Sequence, residues 1–154
     1  ASRLQEQSTQ YNVVNASISG ETTAGGLRRL PALLQEHQPK VVIIALGAND
    51  GLRGFQIQRM RDNVTELITL CQQANAKVLL VGMKIPPNYG LKYTSDFYET
   101  YKLAANQFNV PLVPFLLEGV ATDPGLMRDD GLHPRAEAQP KILNTVWPYL
   151  QPLL

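Results

Sequence analysis

A carboxylate and an imidazole lie three residues apart near the end of the chain, in the run Asp130-Gly131-Leu132-His133. The glycine within the run and Pro134 after it favour a turn. An aspartate that binds one ring nitrogen of a histidine leaves the other nitrogen free to take a proton from a nucleophile. The pair therefore indicates acid–base chemistry. A solvated structural turn, or a metal site completed by Asp129, is the alternative.

Two further turns carry groups that could stabilise a negative charge. The run Gly47-Ala48-Asn49-Asp50 follows one apolar segment, and Ser19-Gly20 follows another. The side-chain amide of Asn49 could donate a hydrogen bond to an oxyanion, and Gly20 has no side chain to block its backbone N–H. Ordinary turn formation explains both runs equally well. His37, the only other histidine, is expected to interact with the end of a helix.

These residues are placed by alternating strands and helices. Apolar, β-branched segments predict four strands, at residues 11–18, 40–46, 77–83 and 109–115. Apolar residues at helical spacing predict helices after Thr22 or Thr23, from Phe55 to Cys71, around residues 97–108 and around residues 138–150. This order predicts an α/β fold in which helices cover both faces of an open parallel sheet. Ligands of such sheets bind beyond the carboxyl ends of the strands, where all three polar runs are expected.

Composition limits the classes of function. The 154 residues suffice for one domain, and the net charge of +1 gives no attraction to nucleic acid or anionic membranes. The longest apolar run has the length of a strand, so no transmembrane anchor is expected. The single cysteine, Cys71, lies among apolar residues and is expected to be a buried thiol with no disulfide or metal role.

The three polar runs resemble the second, third and fifth sequence blocks of the SGNH (GDSL) hydrolase family. The longer stretches VVNASISG, GLRRLPALLQEHQP, GANDGLRGFQ, FNVPLVPF and DDGLHP are similar to the bacterial branch of thioesterases, proteases, lysophospholipases and arylesterases. The resemblance extends from about Val13 to the C-terminus. It implies a three-layer α/β/α, flavodoxin-like fold with spatial strand order 2-1-3-4-5.

The resemblance also implies a serine hydrolase that forms an acyl-enzyme. His133 would be the general base, Asp130 would orient it, and Gly20 and Asn49 would form the oxyanion hole. The substrates would be acyl esters, fatty acyl thioesters and lysophospholipids, and neither a cofactor nor a metal would be required. The family places such enzymes in the periplasm or outside the cell, as monomers. The expected contacts of the acyl chain are Leu52, Phe55, Ile85, Pro86 and Tyr89.

The first block of the family, Gly-Asp-Ser-Leu with the nucleophilic serine, is not present in the 154 residues. The family delivers this block on the central strand of the sheet, and Ser17 and Ser19 are not expected to replace it. We therefore expect an N-terminally incomplete single domain. Its sheet should have an open slot beside residues 11–18 and 41–46, unless another polypeptide fills it. The alternatives are an inactive fragment or a non-catalytic flavodoxin-like binding module, although the chain contains no phosphate-binding glycine loop.

Overall fold

The computed structural model describes all 154 residues. The strands are β1 (Val41–Ile44), β2 (Lys77–Val81) and β3 (Leu112–Val113). The helices are α1 (Ser2–Gln7), α2 (Thr23–His37), α3 (Ala48–Leu52), α4 (Ile57–Gln73), α5 (Leu91–Phe108) and α6 (Gln139–Leu150). Short 3₁₀ turns occupy Pro87–Tyr89, Ala136–Ala138 and Gln151–Leu153. The α/β order expected from the sequence is confirmed from α2 onward.

The three strands form one parallel sheet in the order β1-β2-β3. Val42 pairs with Val78, and Leu80 pairs with Leu112. The strand β3 is much shorter than the predicted 109–115 segment. Pro111 and Pro114 flank it, and because proline has no N–H to donate, the ladder cannot extend regularly through either position.

Successive side chains of β2 point into two different cores, which shows that the sheet is the middle of three layers. Val78 and Leu80 belong to a 16-residue cluster shared with α2, α4 and α5. Leu79 and Val81 belong to a second cluster, which includes Val146 and Leu150 of α6 and packs against Leu4 of α1. This alternation is the period-two pattern of a strand buried on both faces. The predicted α/β/α layering is thus confirmed.

The prediction of a strand at residues 11–18 is wrong for this chain. The segment is extended but forms no β-ladder, and Val14 and Ile18 are exposed. Side chains hold it instead: Gln5 bonds to the backbone of residues 11 and 13, and the Arg29 guanidinium donates to the Ala16 carbonyl. A strand needs a neighbour of matching register, and the neighbour that the resemblance implies for this segment is not among the strands of the structure.

The strand β1 has a partner on only one side. It pairs with β2, its other edge has no ladder, and Ile43 is 36% exposed. Residues 11–18 do not pair with this edge. Both features agree with the open slot expected from the sequence, and the direct pairing that would have contradicted it does not occur.

None of the helices combines the length and the apolar character needed to cross a bilayer.

Candidate active site

The Asp130–His133 turn is built around the aspartate. Asp130 Oδ1 accepts hydrogen bonds from the backbone N–H groups of Leu132 and His133, at 2.9 and 3.0 Å. Asp130 Oδ2 lies 2.8 Å from His133 Nδ1, which confirms the contact expected from the sequence. Gly131 has φ +66°, a conformation that favours glycine, and it lets the chain turn tightly enough for both oxygens to be used. The imidazole is thus held through Nδ1, and no protein group bonds to its Nε2.

A second set of bonds fixes the turn in the loop that follows β3. The Arg128 N–H donates to the His133 carbonyl at 2.8 Å, and the Arg135 N–H donates to the Leu126 carbonyl at 2.7 Å. The Arg135 guanidinium bonds to the Met127 carbonyl and to the Asp129 carboxylate. Asp129 therefore pairs with an arginine and does not join Asp130 and His133. The structure contains no group of three or more side chains able to hold a metal ion.

Hydrogen bonding keeps Asp130 in its charged form. The N–H groups of His133 and Leu132 lower the pKa of the Asp130 carboxyl well below its ordinary range, and the His133 side chain adds to this effect. The carboxylate thus remains an acceptor at neutral pH. It can fix the ring orientation of His133 and stabilise the imidazolium that forms when Nε2 takes a proton.

Gly20 and Asn49 come together at the ends of two chain segments. The Asn49 side-chain amide donates to the Glu21 carbonyl at 2.9 Å, which places it against the Gly20 turn. An amide nitrogen has two hydrogens, so one remains available to a ligand. Gly20 has φ +74° in the turn closed by the Glu21 N–H and the Ile18 carbonyl, and its own N–H has no acceptor within the protein. Each of the two residues therefore has an N–H donor that is available to a ligand.

Tight packing at the end of β1 fixes the position of Asn49. Gly47 has φ +112°, and a Cβ at this position would lie only 2.4 Å from the Tyr101 hydroxyl and 2.6 Å from Met60 Cε. The Tyr101 hydroxyl donates to the Leu46 carbonyl at 2.9 Å. The chain can therefore turn from β1 into α3 only with glycine at position 47, and Asn49 follows in the first turn of α3.

Asp50 has a structural role that the sequence reading missed. Its carboxylate is 3% exposed and accepts from the Thr23 N–H at 2.9 Å and the Thr23 hydroxyl at 2.5 Å. The Thr23 hydroxyl in turn accepts from the Asn63 amide at 2.9 Å. This network connects the start of α2 to α3 and to the second turn of α4. The predicted helix cap is made by Thr22, whose hydroxyl accepts from the Gly25 N–H, and this leaves Thr23 free to bind Asp50.

Of the four candidate residues, Asp130 and His133 bond directly to each other, and Asn49 bonds to Glu21, the residue after Gly20. No hydrogen bond or ion pair links the Asp130–His133 pair to Gly20 or Asn49, and no serine hydroxyl bonds to His133. The other reactive residues lie apart from them. His37 is in the last turn of α2 beside Glu36. Cys71 is fully buried, and burial raises the pKa of its thiol to about 11, which leaves it protonated and unreactive.

The predicted acyl-chain contacts lie on two neighbouring loops. The Tyr89 hydroxyl donates to the Leu52 carbonyl at 2.8 Å, and the Tyr93 hydroxyl donates to the Phe55 carbonyl at 2.7 Å. Ile85 is buried against Gly51, Pro86 is partly buried beside it, and Phe55 and Tyr89 are exposed. The two tyrosine bonds thus hold the loop before α5 and the start of α5 against the segment that follows Asn49.

Comparison with known proteins agrees with this architecture. Residues 1–139 match the model of the GDSL-like lipase/acylhydrolase family. The chain is 50% identical to esterase TesA of Pseudomonas aeruginosa, over 99% of the chain and 76% of that protein. It is 48% identical to thioesterase 1/protease 1/lysophospholipase L1 of Escherichia coli K12, over 95% of the chain and 70% of that protein. A crystal structure of TesA superposes with a TM-score of 0.96 at 48% identity, covering 99% of this chain and 87% of that one.

Proposed function

Because the chain belongs to the GDSL-like lipase/acylhydrolase family, a family of ester and thioester hydrolases, we propose that its Asp130–His133 turn supplies the acid–base half of a serine hydrolase site. One observation carries this proposal: the 2.8 Å contact between Asp130 Oδ2 and His133 Nδ1, which leaves Nε2 without a protein partner. The substrates are small molecules with an acyl ester or thioester bond.

The proposed reaction proceeds through an acyl-enzyme. His133 Nε2 removes the proton of a serine hydroxyl as the serine oxygen attacks the acyl carbonyl carbon. The Gly20 N–H and the free Asn49 N–H bind the resulting oxyanion. When the tetrahedral intermediate collapses, His133 returns the proton to the departing alcohol or thiol. Water then attacks the acyl-serine with His133 as its base, releases the carboxylic acid and restores the serine. Asp130 stays ionised throughout and stabilises the imidazolium.

We propose that the attacking serine is carried by polypeptide outside residues 1–154, on a strand that pairs with β1. Two observations support this proposal. The edge of β1 opposite β2 has no partner, and residues 11–18 are extended without a ladder. A parallel strand between them would satisfy both sets of backbone groups. The carboxyl end of this strand would lie beside the carboxyl end of β1, which Gly47 and Asn49 follow. Ligands of parallel sheets bind at the carboxyl ends of the strands.

The test uses a completed chain, in which a Gly-Asp-Ser-Leu segment of a family member precedes residues 1–154. We expect it to hydrolyse p-nitrophenyl octanoate and octanoyl-CoA. The matched control replaces only the serine of that segment by alanine and should be inactive. Residues 1–154 alone should also be inactive, because neither Ser17 nor Ser19 forms a hydrogen bond with His133. Equal ester hydrolysis with and without the added serine would refute the proposed nucleophile.

Finer features of the proposal follow from the family resemblance. We propose that lysophospholipids are among the substrates, as the name of the Escherichia coli relative suggests. We further propose that the enzyme acts as a monomer, in the periplasm or outside the cell. The acyl chain would lie along the surface made by Leu52, Phe55, Ile85, Pro86 and Tyr89. Gel filtration of the completed chain and fractionation of cells expressing the natural gene test the oligomeric state and the compartment.

A further inference from the structure

Three arginines, one from α2, one from α4 and one from the segment between α3 and α4, line one pocket next to the Gly20 turn. The pocket has a volume of about 270 Å³, and its arginines are Arg28, Arg53 and Arg59. The remaining lining residues are Thr22, Ala24, Asp50, Phe55, Met60 and Asn63. The pocket lies between the first two turns of α2, the first two turns of α4 and the loop after α3. In the sequence, Arg28-Arg29 is the only pair of adjacent basic residues. In the folded chain, Arg28 lines the pocket with Arg53 and Arg59.

None of the three arginines forms a direct ion pair with a carboxylate. The ion pairs of the structure use Arg29 and Arg135 but not Arg28, Arg53 or Arg59. Asp50 is the one acidic residue of the lining, and both of its oxygens already accept hydrogen bonds from Thr23. Three guanidinium groups and one carboxylate leave two positive charges around the pocket. This charge favours a ligand that carries negative charge.

The pocket is adjacent to one of the proposed oxyanion donors. Arg53 Nη2 donates to the Gly20 carbonyl at 3.1 Å, and a Cβ at position 20 would lie 3.8 Å from the same nitrogen. Arg53 therefore connects the lining of the pocket to the turn that carries the Gly20 N–H. Arginine is suited to phosphate because its planar guanidinium can donate two parallel hydrogen bonds to it.

We propose that the Arg28/Arg53/Arg59 pocket binds the phosphate of an anionic lysophospholipid whose ester is being hydrolysed. This assignment rests on the proposed function and adds a headgroup site to it. In a lysophospholipid the phosphate is separated from the ester carbonyl by a glycerol unit, which matches a pocket beside Gly20. In an acyl-CoA the phosphates are many bonds further from the thioester. The net positive charge favours an anionic headgroup, such as phosphatidylglycerol, over a zwitterionic one.

The experiment measures kcat/KM of the completed chain on substrates with the same octanoyl group. They are lysophosphatidylglycerol, lysophosphatidylcholine, monoacylglycerol and octanoyl-CoA. In the variant Arg28→Gln/Arg59→Gln, the ratio of lysophosphatidylglycerol to monoacylglycerol hydrolysis should fall by roughly tenfold to a hundredfold, because charge-assisted hydrogen bonds to phosphate are lost. The fall should appear mainly in KM and should be smaller for lysophosphatidylcholine. Arg53 is left intact because it touches Gly20.

The matched control is Arg3→Gln, an exposed arginine of α1 that lies outside this pocket, and it should keep the ratio. An unchanged ratio in Arg28→Gln/Arg59→Gln would overturn the headgroup assignment while leaving the proposed hydrolase function in place. A fall confined to octanoyl-CoA would also overturn it, by showing that the pocket binds coenzyme A phosphates. A completed chain that hydrolyses none of the four substrates would refute the proposed function itself.

Discussion

Asp130 serves as the acceptor for both the backbone and the imidazole of its own turn. Two N–H groups bind Oδ1 while His133 Nδ1 binds Oδ2, so the carboxylate determines both the shape of the turn and the orientation of the ring. The sequence spacing was sufficient to predict the side-chain contact. The two backbone bonds depend on the positive φ of Gly131, which spacing alone does not specify.

The first residue-scale prediction concerns the charge of Asp130. Its carboxyl should titrate below the model-peptide value of about 3.9, because the two backbone donors favour the ionised form. Since the folded-state pKa is the lower one, the stabilisation by Asp130 is present above about pH 4 and is lost as the pH falls through the folded value. Carboxyl ¹³C NMR of the completed chain measures the titration. His133→Ala should restore the ordinary pKa only in part, since the backbone donors remain; an unshifted carboxyl in the wild type would contradict the geometry.

The second residue-scale prediction concerns the oxyanion donor. Asn49→Ala in the completed chain should lower kcat for p-nitrophenyl octanoate by roughly 10²–10³, because one donor to the oxyanion is removed and the Gly20 N–H remains. KM should change much less. Asn106→Ala, at an exposed position of α5, is the control and should leave kcat within about twofold. A loss in Asn49→Ala that appears in KM alone would assign Asn49 to substrate binding in the ground state.

At the scale of elements, the network of Asp50, Thr23 and Asn63 connects the start of α2 to α3 and to the second turn of α4. Thr23→Val keeps the shape of the side chain but removes the hydroxyl that bonds to both partners. We expect it to destabilise the completed chain by about 1–3 kcal/mol, the cost of leaving buried polar groups unpaired. Urea denaturation followed by circular dichroism measures the change.

Thr69→Val is the matched control for this prediction. The Thr69 hydroxyl bonds only to the Thr65 carbonyl one turn earlier on the same helix, so its replacement should change the free energy of unfolding by no more than about 0.5 kcal/mol. Equal effects of the two substitutions would show that the Asp50 network contributes nothing specific.

The elements that the sequence predicted well are those with a strong local signal. The apolar β-branched runs identified β1 and β2, and helical spacing identified α2, α4, α5 and α6. The failures depended on distant partners. Residues 11–18 have the composition of a strand but no neighbour, and Pro111 and Pro114 shorten β3. The buried role of Asp50 and the cluster of Arg28, Arg53 and Arg59 arise only when α2, α3 and α4 pack together, so no sequence window contains them.

At the scale of the whole molecule, the unpaired edge of β1 links folding to function. Each buried backbone group left without a partner costs about 1–3 kcal/mol, which is large beside a typical domain stability of about 5–15 kcal/mol.

In residues 1–154 alone, alternate amides of β1 should exchange hydrogen rapidly while those of β2 stay protected. In the completed chain the β1 amides should become protected as well. Hydrogen exchange by NMR measures both; unchanged exchange of β1 would show that the added segment does not occupy the slot.

The proposed chemistry depends above all on His133 as the base that activates a serine. The direct test is the rate at which a fluorophosphonate probe labels the completed chain, because labelling requires that activation but no turnover. His133→Ala should slow labelling by about a thousandfold or more, with an unchanged circular dichroism spectrum. His37→Ala, which removes the only other histidine, should label at the rate of the unsubstituted chain. Labelling of His133→Ala at that same rate would contradict the role assigned to the Asp130–His133 pair.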